Sequence, residues 1–238
     1  MAETRAAWVT GAGGELGGAV VRRLGRDGWR GVASARSAAP AALPPFWQAE
    51  AGALDSADTA QRAAQSALTA FGRLDLAVLA AGAWEGGSAA HAGEAEALER
   101  MWRANVETTW HCARAAAQAM ARGQATGPRA IVLVSALTAL ARPSPAGQAA
   151  YRASKAAVAS LADGLAADLA ADGVAVFALA PVTLATEANR RAMPSADASR
   201  WVRLEDVVEI VSFLATPAAR ALSGAVLPLG ARLESDRP

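Results

Sequence analysis

Arg5-Ala-Ala-Trp-Val-Thr-Gly-Ala-Gly-Gly-Glu-Leu-Gly17 is the stretch whose reading decides the fold. Residues 5–10 suit a short buried strand, Gly11 to Gly17 a tight turn, and the Ala/Val/Leu/Arg run to about Gly28 a helix. Glycines let a backbone approach an anion, and the first amides of a helix point outward from its end. A strand, a glycine turn and a helix in that order therefore make a seat for a dinucleotide pyrophosphate. Gly11, Gly13, Gly14, Leu16 and Gly17 are the candidate contacts, whereas Glu15 in their midst is an acid that does nothing to help a phosphate.

The same alternation continues outward from this unit. A second strand, Gly31 to Ala35, ends at Ala35-Arg36, where such a unit meets the adenosine ribose. An acid there binds the 2′-hydroxyl; a small residue followed by arginine leaves room for a 2′-phosphate and supplies a planar cation. NADPH is thus the expected cofactor, with NADH possible. Residues 37–50 read as an Ala/Pro-rich loop running into a short strand near Trp47 to Ala51. Leu54-Asp55 follows, and Asp55 either faces the adenine amino group or caps the helix Ala57 to Phe71. Gly72-Arg-Leu-Asp75 leads into a strand, Leu76 to Ala80, which opens into Ala80-Ala-Gly-Ala-Trp-Glu-Gly-Gly87 at the carboxyl edge, where α/β sheets bind ligands.

A long helix from about Glu94 to Arg122 carries Trp102, Asn105, Trp110 and His111. Asn105 is one of two asparagines in the chain, and asparagine is mildly unfavourable inside a helix, which points either to a buried polar link or to a solvated position. A fifth strand, Ala130 to Val134, ends in Ser135-Ala-Leu-Thr138, and a sixth, Val174 to Ala180, ends in Pro181-Val-Thr-Leu-Ala-Thr186. Residues 187–204 have little periodicity and follow a strand end, the place for a substrate lid. A helix, Glu205 to Leu214, and a strand, Ala225 to Leu229, come last. Alternating strands and helices specify a doubly wound parallel sheet of about seven strands flanked by helices, a single α/β domain spanning 1–238.

Within that frame Tyr151-Arg-Ala-Ser-Lys155 holds the only tyrosine and the only lysine of 238 residues, four positions apart and so on one helix face. A phenol is a poor acid or base at neutral pH, and an ammonium one turn away is expected to lower its pKa. The remaining composition excludes more than it asserts. Net charge is +1 with both signs mixed, which argues against nucleic acid or an anionic membrane as partner and for small-molecule chemistry. The single cysteine, Cys112, forbids an internal disulfide and suits a cytoplasmic protein; no Cys/His cluster has the spacing of a metal site. No apolar run reaches the length of a membrane helix, and the N-terminus does not read as a signal peptide.

With these stations in place the chain resembles the short-chain dehydrogenase/reductase family over essentially its whole length, and so implies a single-domain Rossmann fold. Thr10-Gly11 to Gly17 stands at that family's nucleotide turn, Asp55 at its adenine contact and Ala80-Ala81-Gly82 at its Asn-Asn-Ala-Gly segment. Asn105 stands at its helix asparagine, Tyr151 and Lys155 at its catalytic pair, and Pro181, Val182, Leu184 and Thr186 in its carboxamide loop. The resemblance implies that the tyrosine transfers the proton while hydride moves to or from the nicotinamide. It implies that the lysine binds the nicotinamide ribose and that the asparagine holds a water linking the lysine to solvent. The departures narrow the choice: Glu15 replaces the middle glycine, Ala80 and Ala81 the paired asparagines, Val182 the usual glycine, and Ala136 the catalytic serine. Ser135 at the strand end, or Thr138 thirteen residues before Tyr151, either substitutes for it or neither does.

Residues 81–87 and 181–201 resemble the dihydropteridine reductase branch, which also lacks the serine; Arg36 departs from that branch, whose members commonly carry an acid there, and Asn105 is closer to the general family pattern. The expectation is an NAD(P)H-dependent reductase of a quinonoid dihydropterin-like heterocycle held near Trp84, Met193 and Trp201, with Tyr151 as proton donor. The alternatives are a carbonyl reductase or alcohol dehydrogenase, and a nucleotide-binding protein without catalysis. The helices 94–122 and 149–171 are those that pack across two-fold axes in the family, so a homodimer or homotetramer is expected.

Overall fold

The computed structural model describes residues 4–36, 42–141 and 145–230. Parts of the 37–50 loop and of the loop before Tyr151 lie outside the described residues. Seven parallel strands form one sheet in the order β3-β2-β1-β4-β5-β6-β7. They are β1 (Ala6–Thr10), β2 (Arg30–Ala35), β3 (Trp47–Ala51), β4 (Leu76–Leu79), β5 (Arg129–Val134), β6 (Val174–Pro181) and β7 (Val226–Leu229). The order reverses beside β1, and the loops after β1 and β4 open there, as the doubly wound rule requires of a ligand crevice. β1, β4 and β6 are buried along their whole length, which is why they read as continuous apolar runs rather than alternating ones.

Helices cover both faces. On one side α1 (Glu15–Arg26) and α8 (Leu204–Leu214) pack with Val20, Val21, Leu24, Val207 and Val211 against the sheet. On the other, α2 (Ala57–Phe71), α4 (Thr108–Arg122) and α6 (Ala149–Asp168) bury mostly alanine: Ala60, Ala64, Ala67, Ala113, Ala116 and Ala162. Small side chains let these helices lie close to the sheet, and Trp8, Met120 and Leu133 fill the space between.

Arg73 and Asp75 tie the entrance of β4 to β1. Asp75 is 1% exposed, accepts Nε and Nη2 of Arg73 at 2.9 Å each, and takes the Ala6 amide at 2.8 Å. A buried carboxylate with a bidentate guanidinium and a backbone donor is fully satisfied, so it fixes register without an unpaired charge.

Two local readings are corrected. Asp55 does not cap α2: Ser56 does, accepting the Thr59 amide at 3.3 Å while the Thr59 hydroxyl accepts the Ser56 amide at 3.2 Å. The residue with extended φ/ψ immediately before the helix holds the cap, and Asp55 lies one place outside it, exposed. The helix expected from Glu94 to Arg122 begins instead as α3 (Ala97–Met101), continues through a π-helical stretch at Trp102–Glu107 and only then becomes α4. The Thr108 hydroxyl donates to the Arg103 carbonyl five residues back at 3.1 Å, in keeping with the wider turn.

Candidate active site

The turn after β1 is closed by backbone against backbone. Gly11 has φ +67°, and a Cβ on it would sit 2.8 Å from the Ala80 carbonyl and the Ala81 nitrogen. A Cβ on Gly17 would fall 2.3 Å from the Gly11 oxygen. These contacts explain two of the turn's glycines and place Ala80 and Ala81 directly against it, with the Thr10 hydroxyl accepting the Ala81 amide at 3.1 Å. The amides of Glu15, Leu16 and Gly17 have no backbone partner among the described residues, so the N-terminus of α1 presents free donors. A cavity of about 290 Å³ beside the turn is lined by Gly13, Gly14, Glu15, Gly18 and Arg22. The residues present thus fit a dinucleotide phosphate: free amides, glycines that admit it, and Arg22 as a cation on the same wall. Ala35 is buried at the end of β2, and Arg36 follows it exposed; Leu54 is half-buried and Asp55 exposed after β3.

Four buried or half-buried side chains meet beyond the end of β4. Asn105 sits inside the π-helical stretch with 0% exposure. Its Oδ1 accepts the Ala83 amide at 2.9 Å, and its Nδ2 donates to the Ala83 carbonyl and to the Ser154 hydroxyl, each at 3.0 Å. Its amide is therefore the buried link between the loop after β4 and α6. Ser154 in turn donates to the Tyr151 carbonyl at 2.8 Å. Lys155 Nζ donates to the Val134 carbonyl at 2.9 Å, and a Cβ on Gly82 would come within 3.3 Å of that Nζ and 2.6 Å of Asn105 Oδ1. The phenolic oxygen of Tyr151 has no hydrogen-bond partner among the described residues.

The electrostatics correct one expectation. Burial of the ring pushes the Tyr151 phenol up to about 12 rather than down, and burial pulls the Lys155 ammonium down to about 8. Both shifts disfavour the charged form, as removal from water must. Spacing on a helix predicts proximity, but the depth of burial sets the direction.

The two hydroxyls that stand near the missing serine are both engaged. Ser135, 2% exposed, donates to the Lys155 carbonyl at 2.7 Å. Thr138, in the short helix α5 (Leu137–Leu140), donates to Gln148 Oε1 at 3.0 Å. Arg152, 9% exposed, donates to the carbonyls of Thr138 and Ala141 and, at 3.4 Å, to the Thr138 hydroxyl. It thereby pins α5 against α6. Arg22, Arg152 and Ser154 also take part in the geometry without having been candidates; for Ser154 the signal was its place inside the Tyr151–Lys155 window.

Beyond β6, Val182 donates its amide to Leu229 at 2.9 Å, and Leu184 forms a β-bridge with Val202. The Thr186 hydroxyl caps α7 (Glu187–Ala192) by accepting the Asn189 amide at 3.2 Å. Pro181 closes β6, paired with Leu229. Trp84 is 61% exposed and Met193 37%. Trp201 is 8% exposed, with the Arg190 guanidinium 5.8 Å over its ring, so its flat face is covered rather than offered to a ligand. Trp201, expected at the substrate, thus lies buried next to the Leu184–Val202 bridge.

Residues 5–196 match the family model of the short chain dehydrogenases. The chain belongs to that family. Its match to a cis-4-hydroxycyclohexanecarboxylate dehydrogenase of Sinomonas cyclohexanicum is 31% identical and covers 94% of both chains. A cyclic-di-GMP-binding biofilm dispersal mediator protein of Escherichia coli is 30% identical over 89% of both. A dihydropteridine reductase of Dictyostelium discoideum is 28% identical over 84% of this chain and 83% of its own. Among solved structures, a blue fluorescent protein from a metagenomic library in complex with NADPH superposes with a TM-score of 0.83 at 26% identity, covering 94% of this chain and 95% of that one. Membership of the short-chain dehydrogenases makes the protein an NAD(P)-dependent oxidoreductase that acts on small molecules. No described helix is long and apolar enough to cross a membrane.

Proposed function

We propose that the protein reduces an electron-poor conjugated heterocycle of the quinonoid dihydropterin type, with Tyr151 as the proton donor. The observation that carries this is the engagement of both spare hydroxyls: Ser135 is committed to the Lys155 carbonyl and Thr138 to Gln148. A ketone needs its oxygen polarised as hydride arrives, whereas a conjugated ring that already accepts electrons depends less on such a donor. A reduced nicotinamide, when bound, supplies the hydride. Tyr151, held protonated at neutral pH, delivers the proton from its phenolic oxygen, and the Lys155 ammonium offsets the charge left on that oxygen. Asn105 holds the loop after β4 against α6 and so keeps Gly82 and Ala83 beside Lys155. Trp84 and Met193, both exposed at this edge, flank the heterocycle, and residues 187–204 form the lid. The dihydropteridine reductase relative supports this reading.

The cofactor is NADPH. Arg36 follows the end of β2, and Arg22 lines the cavity at the phosphate turn; together they offer two cations to a 2′-phosphate. The glycines Gly11, Gly13, Gly14 and Gly17 with Leu16 take the pyrophosphate. Ala35, Leu54 and Asp55 border the adenosine, Ala80, Ala81 and Gly82 the nicotinamide ribose, and Pro181, Val182, Leu184 and Thr186 the carboxamide. The enzyme works in the cytoplasm as a homodimer or homotetramer. An apolar groove of about 370 Å³ between the π-helical stretch, α4 and α6, lined by Trp102, Val106, Trp110 and Leu161, supports that assembly, with each of the two indoles 42% exposed. Light scattering on the purified protein gives the subunit number.

A second reading, an alcohol dehydrogenase or carbonyl reductase, is favoured by Thr138, thirteen residues before Tyr151, whose hydroxyl donates only to the side chain of Gln148 and accepts a long 3.4 Å bond from Arg152. The cis-4-hydroxycyclohexanecarboxylate dehydrogenase relative supports it. The test is oxidation of NADPH and of NADH against chemically generated quinonoid dihydropterin and against cyclohexanones, with Tyr151→Phe as control. Turnover of the pterin that falls by about 10²-fold or more in the control, with NADPH preferred, is expected. Turnover of ketones that equals or exceeds that of the pterin overturns the assignment.

A further inference from the structure

Glu15 stands where the phosphate turn would carry its middle glycine, as the first residue of α1. Its carboxylate reaches across the crevice to the segment after β6. Oε2 accepts the Glu187 amide at 2.9 Å and Oε1 the Ala188 amide at 3.1 Å, from residues more than 170 positions away in the chain. These are the first two amides of α7, and the third, of Asn189, goes to the Thr186 hydroxyl. Every donor at that end of α7 is thus satisfied, two of them by one side chain of the nucleotide turn. Leu16, next to Glu15, packs on the same core cluster as Val182 and Leu184, so the two segments also share an apolar floor.

The same carboxylate matters to α1. The N-terminus of a twelve-residue helix favours a negative charge, Gly14 brings no side chain to cap it, and the amides of Glu15, Leu16 and Gly17 are free of backbone partners among the described residues. Glu15 is the acid of that first turn. A pyrophosphate seated on those amides adds negative charge beside Glu15, and the like charges repel.

We propose that Glu15 is a latch: its carboxylate holds α7 down on the nucleotide turn in the cofactor-free enzyme, and cofactor entry breaks that hold, linking cofactor binding to movement of residues 187–204. The idea rests on the assignment of the turn to NAD(P)H. Linkage is reciprocal: if cofactor binding loosens the latch, loosening the latch strengthens cofactor binding.

The experiment compares wild type with Glu15→Gln and Glu15→Ala. Hydrogen exchange of the peptide covering residues 187–192 is followed without cofactor, and NADPH affinity is measured by quenching of tryptophan fluorescence. The latch requires exchange at Glu187 and Ala188 to quicken about tenfold in Glu15→Ala, and the NADPH Kd to fall at least threefold in both variants. Unchanged exchange overturns it, because the contact is then not formed in solution. Faster exchange with a higher Kd also overturns it, because Glu15 then prepares the site instead of guarding it. If neither NADPH nor NADH binds to any form, the cofactor assignment fails and the linkage with it, whereas exchange at residues 187–192 still reports whether Glu15 holds α7.

Discussion

The sides of the crevice proposed for cofactor and for substrate are built in different ways. Around Gly11 and Gly17 the main chain packs on main chain, with no room for one added carbon. Around Trp84 and Met193 the edge consists of exposed side chains on loops. The first kind of surface suits what all nicotinamide dinucleotides share, and little in it can vary. The second can change by single substitutions without disturbing the sheet, which is how one fold serves many substrates. Lys155 and Asn105 stand at the border, buried like the first region and polar like a functional one.

The comparison is strained hardest at Lys155. Its ammonium is buried with one carbonyl partner, and burial draws its pKa down from the usual 10.5 to about 8. Below pH 8 the lysine is charged in both folded and unfolded chains, and the fold carries the full cost of burying it. Between pH 8 and 10.5 the unfolded chain binds more protons than the native one, so stability rises with pH; above 10.5 the cost is gone. Lys155→Met is expected to stabilise the protein at pH 7 by on the order of 3 kcal/mol, less about 1 kcal/mol for the lost bond to Val134, while abolishing turnover. Urea unfolding at pH 7 and pH 10 is the check: the advantage of the variant shrinks at the higher pH. Tyr151 acts in the opposite sense and higher up, since its raised pKa lets the native state keep a proton between pH 10 and 12 and so lowers stability there. A Lys155→Met variant no more stable than wild type at pH 7 shows that the ammonium is hydrated, and the border residue then belongs with the open region.

Gly17→Ala attacks the closed region directly. The new methyl falls 2.3 Å from the Gly11 oxygen and 2.9 Å from the Ala12 Cα, both backbone atoms that cannot swing aside. A loss of about 1–3 kcal/mol in stability is expected from overpacking of this kind, together with at least tenfold weaker NADPH binding. Denaturant midpoints and a binding titration measure the two effects. If affinity survives while stability falls, the turn is structural and the cofactor is held elsewhere.

Ser135→Ala separates structure from chemistry. Loss of the 2.7 Å bond to the Lys155 carbonyl should cost about 1 kcal/mol and leave turnover of a dihydropterin within about twofold. A collapse of turnover with stability intact assigns the hydroxyl to the chemistry and favours a carbonyl substrate.

How much of this was legible in the chain follows the same division. Helix α2 spans the expected residues because Gly72 marks its end, and strand β3 lies where it was expected. The glycine turn read correctly because strand, turn and helix are contiguous. The π-helical stretch around Asn105 did not, since one wider turn hardly alters apolar spacing, although the odd asparagine hinted at a buried link and Ala83 and Ser154 supply it. Asp55 and Ser56 are both good caps, and only the backbone angles choose between them. Trp201 lies in a segment without periodicity, so nothing local signals that it is buried beside the Leu184–Val202 bridge. The partner of Glu15 is far off in the chain, and no local pattern names it.

Trp84 provides the smallest and most discriminating effect on stability. At 61% exposure its indole has little apolar area to lose on replacement, so Trp84→Ala should move unfolding by no more than about 0.5 kcal/mol, within the range of ordinary surface changes. If it flanks the substrate, KM rises several-fold while kcat and the NADPH Kd stay near wild type, because the indole binds the ground state and the transition state alike. A larger stability loss places Trp84 with the closed region, as part of the packing around Gly86, whose Cβ position lies 3.1 Å from the ring. A fall in kcat without a change in KM means that the indole meets the reacting ring only in the transition state, and the open edge of the crevice then contributes to the chemistry as well as to selection.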